Sequence, residues 1–391
     1  MTKGLSLDGW LLPGVLRPEV GRGLGSSSKE REELDQLFEQ ADAASGNRDR
    51  TFALACEVAA AIPRPARGRT PRYLETLATL GAADVTVARI VEPHVDAAMI
   101  LAECPDEVDL ATIGATAAST WGVFAAEGPG EPSRAIPDAG GWTLQGTKPW
   151  CSLAGELSHA LVTARVGSGP DAARGLFAVA LRQPGVHAHP EAWVARGFPT
   201  IPSGPTDFDG VVAVPVGQPG WYLERAGFEW GGIGVAACWF GGAVGVARRV
   251  VAAAEKRGDD IGYLHAGRAA ASVTAAAAAL AAAARAIDST HAAASTPAGD
   301  AIAGQAAELD AAHAGTLAGS DRALLAQVTR SVVRRECEAI LAEAASALGP
   351  APLALDERYA ARVADLELYL RQDHGARDEL RAGRLLTGGA S

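Results

Sequence analysis

The chain has 391 residues, of which 48% are hydrophobic, 21% charged and 5% aromatic, and its formal net charge is −11 at pH 7. That length exceeds what one core usually fills, so two or three packed parts are expected, and the acidic balance argues against a nucleic-acid-binding surface. Five cysteines (Cys56, Cys104, Cys151, Cys238, Cys337) are scattered without CxxC spacing, the pattern of a reduced, intracellular protein with no metal cage.

The first residues, MTKGLSLDGWLLPGVL, contain no apolar signal core of useful length. From about Ser27 to Glu103 the periods are helical. SSSKEREELDQLFEQADAA offers a Ser N-cap with Glu three residues on, then Leu34, Leu37 and Phe38 at helical spacing. Further apolar stripes follow in PRYLETLATLGAADVTVARIVEPHVDAAMILAE. The basic patch PRPARGRTPR, 63–72, reads as a solvated, Pro-punctuated loop in preference to an anion site.

From about Trp121 to Tyr222 the texture changes to short alternating runs broken by Gly and Pro. WGVFAAE, GWTLQGTKPW, HALVTARV, GLFAVAL and TDFDGVVAVP are predicted strands, so a β-domain is inserted between helical regions. From about Arg225 onward helices are predicted over 231–257, 267–289, 320–348 and 355–383. The uncharged run GGIGVAACWFGGAVGVA, 231–247, is near the minimum for a membrane span. Its glycines and its Cys-Trp pair favour a buried bundle helix, and a cytoplasmic protein is expected.

That order of parts gives context to GTKPWCSLAG, 146–155. With WGVFAAEGPG, TDFDGVVAVP and EAASALGPAPLALDERYAARVADLELYLRQD, it resembles the acyl-CoA dehydrogenase superfamily, four short motifs in the correct order. Ala126-Glu127 falls at the family's Thr-Glu, and Trp150-Cys151-Ser152 at its Trp-Ile-Thr. The resemblance implies an α+β fold: an N-terminal α-helical domain (1–118), a middle β-barrel-like domain (119–222) and a C-terminal four-helix bundle (223–391). It also implies FAD, with FMN as the alternative, held by Phe124, Ala126, Glu127, Trp150, Cys151, Ser152, Arg257, Ser346, Gly349 and Gly375.

The residue types suit that cofactor. Trp offers the largest π-face for an isoalloxazine ring. On a strand, Ser152 would share the Trp150 face, within reach of flavin N5, while Cys151 would point into the core as a small hydrophobe. The blander reading makes Trp150 a core aromatic and Ser152 an incidental strand residue.

In the family, flavin N5 accepts hydride from the β-carbon of an acyl thioester while a Glu removes the α-proton. Here the aligned context is Gln372-Asp373-His374-Gly375. Asp373 falls at the base position, shorter than Glu by about 1.5 Å, and displacements of about 1 Å cost on the order of a hundredfold in rate. His374 is the other candidate, since flavin monooxygenases on the same fold often place a His nearby. A solvated, charged helix face is the third reading of QDHGARDELR.

Three departures bear on the cofactor. Gly-Glu-Pro-Ser, 130–133, replaces the family's Ala-Gly-Ser-Asp, and Asp260 replaces an aromatic in the segment beginning at Arg257. Ser346-Ala347-Leu348-Gly349-Pro350 replaces Gln-x-x-Gly-Gly, although Ser346 retains a donor and Gly349 allows close backbone approach.

Three functions follow from the resemblance. They are α,β-dehydrogenation of an acyl thioester on CoA or a carrier protein, a monooxygenase or oxidase reaction, and a catalytically silent structural role. The substrate would be an acyl thioester or another small molecule, and the electron acceptor an electron-transfer flavoprotein or O2. The assembly would be a homodimer or homotetramer, with no nucleic-acid or membrane partner. No metal is expected. His187 and His189 flank Ala188 without a carboxylate or Cys at ligand spacing, and His159 and His265 read as ordinary surface or capping positions.

Overall fold

A computed structural model describes residues 28–128, 131–138, 140–167, 169, 172–295 and 319–388. The expected N-cap at Ser27, the leading residues and Gly130 lie outside them. Helices α1 (Ser28–Ala44), α2 (Arg48–Ala61), α3 (Thr70–Ala83) and α4 (Val85–Glu103) come first. Seven strands follow: β1 (Trp121–Phe124), β2 (Arg134–Asp138), β3 (Gly141–Lys148), β4 (His159–Val166), β5 (Ala173–Ala180), β6 (Val186–Ala188) and β7 (Thr206–Pro215). The chain then continues as α5 (Trp221–Glu224), α6 (Ala226–Arg257), α7 (Asp260–Ser295), α8 (Gly319–Leu348), α9 (Ala351–Leu355), α10 (Glu357–Tyr369) and α11 (Ala376–Thr387).

These elements gather into two compact units. One takes Met1–Ser45, Ile62–Ala88 and Glu229–Ser391; the other takes Gly46–Ala61 and Arg89–Phe228. The N-terminal helices are therefore shared out, α1 and α3 to the first unit, α2 and most of α4 to the second.

In the helical unit, the Gly-rich run is what lets α3 and α6 meet backbone to backbone. A Cβ on Gly241 would sit 1.9 Å from Ala78 O, and one on Gly81 would sit 2.3 Å from Cys238 O, so only glycine fits at either crossing point. Helix α6 is apolar and long enough to cross a bilayer, but 78% of its most apolar window is buried inside the protein. It is a core helix. Asp288 of α7 staples the start of α3, accepting from Gly68 N at 3.0 Å and from Thr70 Oγ1 at 2.6 Å, and this ties down the basic segment 63–72, whose last three residues open α3 where a loop was expected. Arg362 of α10 closes the other end of α3 by donating to the orphan carbonyls of Gly81 (2.9 Å) and Ala83 (2.6 Å).

The helix predicted over 355–383 is broken. Asp356 caps α10, the 3-10 turn Leu370–Gln372 ends it, and Gly375 at φ +58 redirects the chain before α11. A left-handed φ interrupts the helical ladder whatever the apolar period on either side.

In the second unit the strands close on themselves: β4 pairs β2, β2 pairs β3, β3 pairs β7, β7 pairs β5, and β5 returns to β4. β1 extends the same edge of β4 in parallel, ahead of β2. One face of β4 and β5, with Leu161, Leu176 and Ala178, packs on Ala97 and Ile100 of α4 and on Trp121 and Tyr222. The short strands β2 and β6 carry no clean alternation, and none of the predicted strands covered them.

Candidate functional site

β3 ends at Lys148, two residues earlier than a continuous strand through Trp150 requires. Pro149 cannot donate to a ladder, and Trp150 takes φ +60, a left-handed conformation that costs a non-glycine residue roughly 1 kcal/mol or more. The expectation that strand alternation sets Trp150 and Ser152 on one face is therefore corrected: both stand on a turn. That turn is held by backbone bonds from Cys151 N to Gly204 O (3.0 Å) and from Leu153 N to Pro202 O (2.9 Å). Trp150 is no core aromatic. Its indole is 58% exposed and meets Trp193 edge-on, with ring centroids 6.4 Å apart. Cys151 turns inward, where burial pushes its thiol up to about 12.

Ser152 is the hydrogen-bonding centre of the turn. Arg89 Nη2 donates to Ser152 Oγ at 2.9 Å, and Ser152 shares a 2.8 Å bond with Ser203 Oγ, which in turn donates to Ile201 O. Arg89, Ser152 and Ile201 border a shallow hollow of about 20 Å³ lined also by Pro93, Gly122, Val123 and Phe124. Two residues expected from the sequence, Phe124 and Ser152, thus line one hollow with a cation the sequence did not suggest. A signal existed. Arg89 is the one Lys or Arg of α4, a helix most of whose other residues are apolar.

Ala126 and Glu127 follow β1 and are exposed. Glu127 is held by Arg174 Nη2 at 2.9 Å and Arg165 Nη2 at 3.3 Å. Partial burial pushes its carboxyl up, but Arg174, Lys148 and Arg165 together outweigh that and hold it below the usual carboxylate range. Lys148 is buried, donates to Thr163 Oγ1 at 2.8 Å, and is lowered to about 8 by burial.

In the helical unit, Asp373 is buried and ion-paired to Arg334 at 2.9 Å, while Gly375 N donates to it at 2.9 Å. His374 is 61% exposed, with Asp378 3.5 Å from its Nδ1. Ser346 points its hydroxyl at Ala342 O (3.1 Å), so the donor expected for a ligand is spent inside α8 and the oxygen is left as an acceptor. Gly349, at φ +64, has open space where a side chain would stand. Arg257 pairs with Asp259 at 3.0 Å.

The histidines differ from their sequence readings. His159 is buried, stacked on Trp121 with centroids 4.9 Å apart, and bonded to Ile113 O. His265 is partly buried against Glu343 at 2.5 Å. Carboxylates do accompany His189: Asp207 of β7 at 2.8 Å and Glu191, two residues on, at 3.1 Å, and their hydrogen bonds raise its pKa. Among the described residues no group of three or more His, Cys, Asp and Glu could hold a metal ion.

The turn and its neighbours offer an exposed aromatic face, a guanidinium–hydroxyl pair and an apolar wall in one unit, residue types suited to a planar heteroaromatic ring with polar edges.

No family model matches the chain, and no curated protein matches it. Solved structures do. KijD3 in complex with FMN and dTDP-3-amino-2,3,6-trideoxy-4-keto-3-methyl-D-glucose aligns with a TM-score of 0.73 at 18% identity, over 93% of this chain and 95% of that one. XiaF from Streptomyces sp., in complex with FADH2 and glycerol, aligns at 0.71 and 16%, over 93% and 98%. A nitrososynthase from Micromonospora carbonacea var. africana aligns at 0.67 and 18%, over 98% and 99%. At these identities the likeness is one of fold, and the chain has, over nearly its whole length, the acyl-CoA dehydrogenase-like fold of these three proteins.

Proposed function

We propose that the protein is a flavin-dependent oxidoreductase acting on a small molecule, with FMN or FAD resting on the 150–155 turn. The observation that carries this reading is the exposed Trp150 indole two residues before the Ser152 that Arg89 holds, in a fold whose neighbours were crystallised with FMN or FADH2. Trp150 would stack on the ring, Ser152 would meet its polar edge, and Arg89 would hold Ser152 in place. When bound, the flavin would exchange two electrons at a time, taking hydride from a substrate when oxidised or giving electrons to O2 when reduced.

An oxygenase-type reaction is favoured over thioester dehydrogenation. Asp373 at the aligned base position is already engaged by Arg334, whereas the His374 imidazole is open to solvent. The ion pair with Arg334 and the hydrogen bond from Gly375 N both fall on Asp373 Oδ1, which ties the carboxylate to its own segment. A methanesulfinate monooxygenase from Pseudomonas fluorescens is among the solved structures that share this fold. Dehydrogenation of an acyl thioester is the second reading, supported by the alignment of Asp373 alone. Either reading carries with it a cytoplasmic homodimer or homotetramer and the three-part layout 1–118, 119–222 and 223–391.

Uptake of FMN and FAD, followed by quenching of flavin fluorescence, tests the class, and Trp150→Ala should weaken it. Substrate oxygenation by protein supplied with reduced flavin and air supports the favoured reading. Anaerobic bleaching by an acyl-CoA, slowed at least about tenfold in Asp373→Asn or His374→Ala, would reverse the preference. Protein that takes up neither flavin leaves a silent structural role.

A further inference from the structure

β2, β4 and β5 each place an arginine at one level of the barrel. Arg134 pairs with Arg165 across β2 and β4, and Arg165 pairs with Arg174 across β4 and β5. Partners across a ladder project to the same face with Cα atoms about 5 Å apart, so three guanidiniums form a row. Like charges directly opposite are destabilising, which makes the row a cost to the fold. Lys148 adds a fourth cation. Its Nζ holds Thr163, which stands two residues before Arg165 and hence on the same face of β4.

Against these four cations the described residues set two carboxylates. Glu127 lies between Arg174 (2.9 Å) and Arg165 (3.3 Å), and Glu131, 90% exposed, reaches Arg134 at 3.5 Å. The local balance is positive in a chain of net charge −11. The row is also open: the side chains of Arg134, Arg165 and Arg174 are 41%, 30% and 22% exposed, while Lys148 is buried.

We propose that this row binds the phosphate or diphosphate group of a small-molecule ligand, with Arg165 and Arg174 gripping it and Glu127 as the internal carboxylate it displaces. Each guanidinium presents five N–H donors in a fixed fork suited to such oxygens. Arg165 commits one donor to Ala172 O at 2.9 Å, and Glu127 already shows an anion seated between the two arginines. Glu127 follows β1 directly, so the anionic end of a ligand would be held beside the strand that lines the Ser152 hollow. This is a statement about anion binding and stands whether or not a flavin binds.

Titration calorimetry of the full chain with inorganic pyrophosphate at low ionic strength tests it. The unaltered protein should bind one equivalent. The Arg165→Gln/Arg174→Gln double variant should bind at least about tenfold more weakly, the loss expected for hydrogen bonds to a charged group. Glu127→Gln should bind more tightly, a gain that a purely structural ion network would not produce. Thermal melting checks that each variant folds. If the double variant does not, Arg134→Gln, on the most exposed of the three, should still weaken binding severalfold. Absence of binding by the unaltered protein, equal affinity in the variants that fold, or weaker binding by Glu127→Gln each overturns the proposal. Pyrophosphate that lowers FMN uptake assigns the row to the flavin's own phosphate, and unchanged uptake assigns it to a substrate; both uphold it. Failure of the flavin reading would leave the pyrophosphate titration unaltered.

Discussion

Arg334 and Asp373 form an ion pair inside the helical unit, Nε to Oδ1 at 2.9 Å, with side chains 9% and 0% exposed. The same guanidinium reaches Glu338 and Glu379, both at 2.6 Å, so one residue of α8 pins α11 and the break that precedes it. Removing one partner of a buried pair leaves an uncompensated charge, which typically costs about 3–5 kcal/mol. Arg334→Met strands the buried Asp373 carboxylate and should lower stability by that order in urea unfolding, and adding Asp373→Asn should recover much of the loss. A cost under about 1 kcal/mol would show that the pair does not hold the segment.

Trp150 should behave in the opposite way. Its indole is largely exposed and its φ is left-handed, so Trp150→Gly gives up little burial and relieves roughly 1 kcal/mol of backbone strain. Stability should stay level or rise slightly in chemical denaturation, while flavin uptake falls. A destabilisation above about 2 kcal/mol would mean that the indole is a structural anchor.

His94 accepts a hydrogen bond from Trp121 N at 3.1 Å, and burial lowers its pKa from 6.5 to about 4. Between those two values the unfolded chain takes up a proton that the folded one refuses, so stability falls as pH drops through that window. The full effect is on the order of 3 kcal/mol. His94→Asn, which keeps an acceptor near the Nδ1 position, should flatten the slope between pH 6.5 and 4. An unchanged slope would place the acid sensitivity elsewhere.

Lys148 reports at the alkaline end. Burial lowers its pKa from 10.5 to about 8, so the folded chain releases its proton first and the unfolded chain keeps its own. More protons on the unfolded state means that stability rises with pH from about 8 to 10.5. Denaturant midpoints for the unaltered protein should climb across that range, and those for Lys148→Met should not. Parallel curves would show that the ammonium is better solvated than its burial implies.

Much of the fold was legible because period and punctuation are local. Five of the seven strands were predicted from runs such as HALVTARV and TDFDGVVAVP, and the long helices from their apolar stripes. The failures share a cause. β2 is missed because RAIPD contains a Pro and two charges and offers no alternation. The helix predicted over 355–383 overruns Gly375 because a single left-handed residue leaves the apolar period undisturbed. The alternation argument for Trp150 and Ser152 fails at Pro149 for the same reason.

The sequence by itself determined five of the strands and most of the long helices, and that glycines crowd α6. Only the tertiary structure decided which distant side chains meet. Arg89 reaches Ser152 from a helix in an earlier part of the chain, and Arg334 neutralises Asp373. Arg134, Arg165 and Arg174 become neighbours through strand register alone. Periodicity is a property of adjacent residues and is written along the chain. Encounters across a closed sheet or a helix crossing depend on where the backbone returns, which no local pattern encodes.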